Sequence, residues 1–278
     1  MIAGNGHGRP GVIMYRLIVL ALLALLPTTG AEAGPGVVGA NAGPQALSAR
    51  ELVQKVQNRL RSNTSIAHYT MRIETADWQR EVRFDAWDDR IHHRFFIRIL
   101  APRKDRNTTW LKDGENLWMY LPKLERDIRI PPSMMLSNWM GSDFTNDDLV
   151  KMESIVEDYS HRLLSDQDGI YTVESTPKPD APVVWGRIVR RISHDAMPLS
   201  EDYYDEHGKH IRRLTFDQVR RMGGRDIPTR WIVQPLATAQ KRTVMLMESV
   251  TFDAPIPDRT FTRANLRSAG RLSGVRGR

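Results

Sequence analysis

Cysteine is absent from this chain of 278 residues. Its absence excludes disulfide bonds, thiol catalysis, cysteine-ligated metal sites and lipid attachment at an N-terminal cysteine. A chain without thiols is compatible with an oxidising compartment such as the bacterial periplasm.

Long apolar runs are also scarce, and the longest is the stretch Leu17–Leu26. It is too short to span a bilayer as a helix, which takes about 20 residues. Arg9 and Arg16 precede it, and Ala31-Glu32-Ala33 supplies small residues before a cleavage point. We therefore predict a secretory signal peptide at residues 1–33 and a soluble periplasmic protein that starts near Gly34. A buried core helix is the weaker alternative.

Recognisable catalytic motifs are missing as well. The sequence contains neither Gly-x-Ser-x-Gly nor His-Glu-x-x-His. His207 and His210 flank a predicted turn beside Glu206, but no distant third ligand is evident, which favours a solvated hairpin end over a metal site. His92 and His93 are adjacent on a predicted strand and therefore point to opposite faces. We predict no enzymatic activity, no cofactor and no metal.

Negative charge is in deficit, since the formal net charge is +7. In an exported protein this favours anionic lipid headgroups or another acidic envelope component over nucleic acid, with a plain solvated surface as the alternative. The basic runs Arg187–Arg191, Arg212–Arg213 and Arg220–Arg221 are predicted to lie mainly on the solvent face of strands. Contacts of some of them with lipid headgroups or a membrane transporter are the alternative.

The clearest helix signal begins at Ser48. Ser48 and Glu51 form a capping-box pattern, and apolar residues follow at helical spacing, which predicts an amphipathic helix over Ser48–Ser62. Gly, Ala and Pro dominate the stretch before it, so residues 34–47 are predicted to be a flexible leader. Met14 is an alternative start of the chain.

Beyond the helix the apolar period changes to two, the signature of half-buried antiparallel strands. About eleven to thirteen strands and two or three helices are expected, in a sheet so long that it must curl or close. One domain is predicted over residues 48–266, followed by a disordered basic tail at 267–278. The predicted strands cover residues 67–74, Arg80–Trp87, Arg90–Leu100, Thr108–Lys112, Asn116–Leu121, Arg126–Ile130, Ser160–Leu164, Ile170–Ser175, Arg187–Ser193, Leu199–Asp205, Ile211–Val219, Thr229–Gln234 and Arg242–Phe252.

The segment Ser133–Val150 is unusually apolar for a connection. It is predicted to be two short helical pieces, joined at Gly141–Phe144, with Thr145 as the second N-cap. Ordinary core packing competes with a role as the lid or lining of an apolar cavity, and we predict the second. The residues concerned are Met134, Met135, Leu136, Trp139, Met140 and Phe144.

The hairpin around Asp113-Gly114 carries apolar side chains on both faces. Trp118 and Tyr120 share one face, and both faces are predicted to be covered, one of them by cargo. Trp110, Trp118 and Tyr120 are therefore further candidates for the binding site. The spacing does not say which face lines the cavity.

Two stretches together resemble the outer membrane lipoprotein-sorting protein family, whose members are LolA-like. They are TTWLKDGENLWMYLPKLERDIRI (Thr108–Ile130) and MGSDFTNDDL (Met140–Leu149). The resemblance covers roughly Ser48 to Leu266. It implies a mainly β (α+β) fold in which one curved sheet forms a half-open barrel, with short helices that plug or lid the concave face.

The resemblance also implies a periplasmic carrier that shields acyl chains of a lipoprotein or lipid from water, for transfer to the outer membrane. A sensor or docking module that binds a protein partner on the same fold is the alternative. An inner-membrane transporter is the candidate protein partner. The expected protein is a monomer with peripheral or no membrane association and no nucleic acid, and its cargo is left open between lipoprotein, phospholipid and another envelope lipid.

Overall fold

The structure is a computed structural model that describes residues 47–151, 154–238 and 240–268. The predicted signal peptide, the predicted leader up to residue 46 and residues 269–278 of the predicted tail lie outside the described residues. Within the described ranges, no helix is both long enough and apolar enough to cross a membrane.

An antiparallel sheet of thirteen strands forms most of the described chain. The strands are β1 (Thr64–Glu74), β2 (Gln79–Asp89), β3 (Arg94–Ala101), β4 (Thr109–Asp113), β5 (Asn116–Leu121), β6 (Arg126–Arg129), β7 (Tyr159–Gln167), β8 (Ile170–Pro177), β9 (Arg187–Ser193), β10 (Pro198–Tyr204), β11 (His210–Met222), β12 (Arg225–Pro235) and β13 (Arg242–Phe252). Their order across the sheet is β6-β5-β4-β3-β2-β1-β13-β12-β11-β10-β9-β8-β7. The prediction of one large, unclosed antiparallel sheet is confirmed.

The helices are few and short. They are α1 (Ala49–Leu60), α2 (Asn146–Lys151), α3 (Ile155–Asp158) and α4 (Arg263–Arg267), with 3₁₀ turns at Pro122–Leu124, Pro132–Met134, Trp139–Gly141 and Asp258–Phe261. The predicted capping box of α1 is present, since the Glu51 backbone N–H donates to Ser48 Oγ and the Ser48 N–H donates back to Glu51 Oε2. Arg267, the first residue of the predicted tail, is the last residue of α4.

One predicted strand begins too early. Residues 90–93 form a turn in which His93 has a φ of 53°, and β3 starts only at Arg94. Asp89 is the cause, because its carboxylate accepts hydrogen bonds from the His92 backbone N–H and from the Arg94 side chain. These local bonds favour a turn over continued pairing, so the strand geometry predicted for His92 and His93 is wrong.

The topology places a connecting segment over the sheet. The edge strands β6 and β7 are consecutive in sequence, so the chain between them, residues 130–158, must return from one edge to the other. We call it the bridging segment, and the sheet face against which its Trp139 packs is the inner face. Helix α1 covers the same face farther along, where Leu52 and Val53 pack with Val173 and Ile192 of β8 and β9.

Candidate functional site

A cavity of about 240 Å³ lies between the inner face, the bridging segment and α1. It exceeds the roughly 150 Å³ of an engineered apolar cavity that stays dry and binds benzene. Most of its lining is apolar, and eleven lining side chains are aromatic. These are Tyr69, Phe84, Trp87, Phe95, Trp139, Phe144, Tyr159, Trp185, Tyr203, Phe216 and Trp231.

Aromatic rings in mutual contact form a continuous row across the inner face. Trp139 meets Trp110 at 5.6 Å and Phe84 at 5.2 Å between ring centroids, and both contacts are edge-to-face. The row continues from Phe84 through Tyr69 and Trp231 to Phe216. Such pairs stabilise by about 0.5–1.5 kcal/mol each beyond burial, so the row contributes to holding Trp139 on the inner face.

The six candidates on the bridging segment do not share one environment. Trp139 is 1% exposed and lines the cavity together with Phe144. Met135 and Met140 pack against the same cluster, but they are not part of the lining. Met134 and Leu136 are 45% and 59% exposed and do not belong to the lining, so their predicted place in the lid or lining of the cavity is wrong.

Backbone geometry explains the difference. The prediction assumed a common helical face, whereas the segment forms two separate 3₁₀ turns, and Met140 takes a positive φ of 53° between Trp139 and Gly141. The two turns are separated by Asn138, which is extended with a φ of −60° and a ψ of 123°, and this break removes the helical spacing that would have placed Met135, Leu136 and Trp139 on one side.

The aromatic residues of the β4–β5 hairpin are divided between the two faces. Trp110 belongs to the aromatic row, behind Trp139. Trp118 and Tyr120 lie on the outer face, where Phe261 and Leu266 of the C-terminal segment cover them. Both faces are therefore covered, but the predicted place of Trp118 and Tyr120 in the cavity lining is wrong, because the alternation of the strand turns them away from it.

The turn Gly141-Ser142-Asp143 fastens the bridging segment to the sheet. Ser142 Oγ donates to the Trp139 carbonyl at 2.7 Å, which agrees with the predicted structural turn. Asp143 acts over a longer range than expected, since its carboxylate accepts from Thr243 Oγ1 at 2.7 Å and pairs with Lys241 Nζ at 2.8 Å. Thr243 is the second residue of β13, so this bond ties the bridging segment to the sheet at the start of that strand.

Both the sequence and the fold of this chain have relatives among known proteins. A family model with the description "Uncharacterized protein" matches residues 92–268, more than half of the chain. A LolA superfamily protein from Nitrosomonas europaea is 19% identical, with a TM-score of 0.68 over 79% of this chain and 100% of that one. This chain belongs to the family of that model, and its fold is LolA-like.

Two other solved structures share the fold. A domain from Vibrio parahaemolyticus, named for outer membrane lipoprotein sorting, is 20% identical, with a TM-score of 0.69 over 79% of this chain and 98% of that one. A DUF1329 family protein from Desulfovibrio piger is 22% identical, with a TM-score of 0.70 over 78% of this chain and 97% of that one. No curated protein matches the sequence. Identities this low establish the fold of the LolA-like chain and no more.

Two arginines of this LolA-like chain are buried against the prediction that the basic runs mainly face solvent. Arg190 is 2% exposed and Arg212 is 6% exposed. A signal for this existed in the alternation, since Arg212 has the parity of Leu214 and Phe216 on β11. The prediction missed this burial because it gave the charge of an arginine more weight than the position of the residue in the strand alternation.

Arg212 connects the sheet to the bridging segment. Its two terminal nitrogens donate to the Asp148 carboxylate at 2.5 and 2.7 Å, and one of them also donates to the Asp143 carbonyl. The guanidinium stacks over the rings of Trp185 and Tyr203 at 4.5 and 4.4 Å. Burial lowers the pKa of Arg212, but the Asp148 carboxylate more than offsets this and raises it, so Arg212 stays protonated.

A second buried polar cluster borders the cavity on β8, β9 and β10. Arg190 donates to Glu201 at 3.0 Å and to Ser175 at 2.7 Å, and the Tyr203 hydroxyl donates to the other oxygen of Glu201. Next to it, burial and the nearby Arg190 charge lower the pKa of His161 to about 4. The LolA-like cavity is therefore apolar along most of its wall and polar at one side.

Proposed function

We propose that this protein is a non-enzymatic periplasmic carrier that binds the acyl chains of a lipoprotein or lipid in its cavity, for transfer to the outer membrane. The observation that carries the proposal is the apolar, aromatic-lined cavity of about 240 Å³ beneath a bridging segment. Burial of an acyl chain gains about 0.8 kcal/mol per methylene, so a cavity of this lining suits chains better than a compact polar ligand.

The fastening of the bridging segment supports entry of cargo at this place. The segment is held by the packing of Trp139 and other apolar side chains and by polar contacts, chiefly Asp148 with Arg212 and Asp143 with Thr243. These contacts lie outside the strand pairing, so lifting the segment breaks none of the sheet's own hydrogen bonds.

The sequence supports the proposed location of the protein and its proposed partners. The predicted signal peptide supports the periplasm, and the basic charge supports passing contact with anionic headgroups or with an inner-membrane transporter. The names of the structural relatives, a lipoprotein-sorting domain among them, agree with a carrier of lipidated cargo.

Lipid extraction tests the proposal. The purified protein is extracted with organic solvent, and the extract is analysed by mass spectrometry for lipid in stoichiometric amount. The delipidated protein is then titrated with a dansyl-labelled fatty acid. A clean extract with no uptake of the probe would contradict the carrier and favour a docking module that binds a protein.

A matched pair of variants locates the binding. Ala86 lines the cavity, and Ala86→Phe places a ring inside it from a rigid strand. Val219 is 52% exposed on β11, and Val219→Phe adds a ring on the surface. Ala86→Phe should lower the affinity for the probe, while Val219→Phe should leave it unchanged. Equal affinities in two folded variants would place the probe elsewhere.

A further inference from the structure

Ion pairs account for most of the charge around the cavity. Three such pairs lie at or beside its lining, and each brings opposite charges within hydrogen-bond distance. They are Arg61–Asp88, Arg190–Glu201 and Arg212–Asp148. Two charged side chains of the lining stand outside these pairs, and both belong to α2: Asp147 and Lys151.

Asp147 is a largely buried carboxylate that the charges of Lys151 and Arg212 compensate only in part and from a distance. It is 8% exposed, and among the described residues its side chain has neither a hydrogen-bond donor nor an ion-pair partner. Burial and, secondarily, the adjacent Asp148 raise its pKa to about 6. Buried charges are as a rule paired, so a carboxylate left this way at a cavity wall has room for a partner from outside the protein.

Lys151 lies one helical turn farther along α2. Residues at this spacing share one side of a helix, with about 5–6 Å between their Cβ atoms. Both side chains contribute to the cavity lining, and within the described ranges no carboxylate is within ion-pair distance of the Lys151 ammonium. The wall therefore presents a negative and a positive group side by side, and Leu149 between them adds an apolar contact to the same lining.

We propose that Asp147 and Lys151 bind the head of a zwitterionic phospholipid, with Asp147 taking its ammonium group and Lys151 its phosphate. The proposal rests on the proposed carrier function and names the class of its cargo. The acyl chains would run from α2 along the aromatic row, which begins at Trp139 on the same bridging segment. An ammonium would supply the charge-assisted hydrogen bonds that this carboxylate lacks among the described residues.

A lipid competition tests this class. The full delipidated chain is incubated with vesicles that contain equal amounts of phosphatidylethanolamine and phosphatidylglycerol with the same acyl chains. Bound lipid is recovered and quantified by mass spectrometry, and binding of palmitate is measured separately. We expect phosphatidylethanolamine to be enriched about tenfold, since an ammonium contact of this kind is one that phosphatidylglycerol does not offer.

Single variants assign the roles. Asp147→Asn should abolish the preference for phosphatidylethanolamine. Lys151→Gln should weaken the binding of both phospholipids. Asp77→Asn and Lys104→Gln are matched controls, because both residues are exposed, and both should behave like the parent protein.

The outcomes separate the two proposals. Palmitate binding without discrimination between the headgroups would overturn this inference and leave the carrier standing. If the parent protein bound neither palmitate nor either phospholipid, the carrier proposal itself would be overturned. If Asp147→Asn lowered the melting temperature and left the lipid preference unchanged, Asp147 and Lys151 would serve each other and not a headgroup.

Discussion

Replacement of Trp139 tests how the bridging segment is held. Its side chain is 1% exposed and contacts Phe84 and Trp110 edge-to-face. Truncation of a buried Trp to Ala costs about 3–5 kcal/mol in the free energy of unfolding. One term opposes the loss, because the buried indole Nε1 has no hydrogen-bond partner among the described residues and both Ala and Phe remove that donor. We therefore expect Trp139→Ala to lose about 3 kcal/mol, and Trp139→Phe, which keeps one ring in the row, to lose about 1 kcal/mol.

Urea unfolding followed by circular dichroism measures these losses. Trp78 is 49% exposed, and Trp78→Ala should stay within about 0.5 kcal/mol of the parent protein. Binding of the dansyl-labelled fatty acid is measured on Trp139→Phe, which should remain folded. If Trp139→Ala were as stable as Trp78→Ala, Trp139 would not hold the segment against the sheet, and the reasoning from its burial would fail.

Three further predictions concern the charged pair, the unpaired carboxylate and the outer face. Arg212→Met should lose about 3–5 kcal/mol of unfolding free energy, because it leaves the Asp148 carboxylate buried without its partner. Adding Asp148→Asn should recover part of this loss. A larger loss in the double variant would refute the pairing. The pKa of Asp147 is raised from 3.8 to about 6 in the fold, so wild-type stability falls as pH rises from about 4 to 6. Asp147→Asn should therefore be more stable than the parent protein by about 3 kcal/mol at pH 7 and equally stable at pH 3. A stability difference that is the same at both pH values would refute the shift. Leu266→Ala, at a side chain with no exposure, should cost about 2–5 kcal/mol without changing fatty-acid binding, whereas Leu236→Ala at an exposed site should cost little in thermal melts.

Strand positions and helix starts could be read from the sequence because they depend on neighbours along the chain. The alternation over Arg242–Phe252 predicts β13 with its observed bounds. Thr145 and Asp148 cap α2 as predicted, with reciprocal bonds of 2.8 and 3.1 Å. Side-chain period and capping are set within a few residues, so no knowledge of the rest of the fold is needed.

Tertiary structure alone decided the environment of the bridging segment. Its course depends on Asp143 meeting Thr243 and on Asp148 meeting Arg212, partners that are 100 and 64 residues away in sequence. No local pattern can rank Trp139 above Leu136 when both are apolar and adjacent to a turn. The distinction arises only when one of them finds Phe84 and Trp110 to pack against.

The two faces of the sheet show the same division between what the sequence predicts and what tertiary contacts decide. The sequence by itself determined that Trp118 and Tyr120 share a side and that Arg212 shares a side with Leu214, since alternation follows from strand geometry. Which side is the cavity was decided by the pairing of β1 with β13 and by the return of residues 130–158 between the edges. Those contacts join distant parts of the chain, and burial of an arginine is favourable only once such a contact supplies its carboxylate.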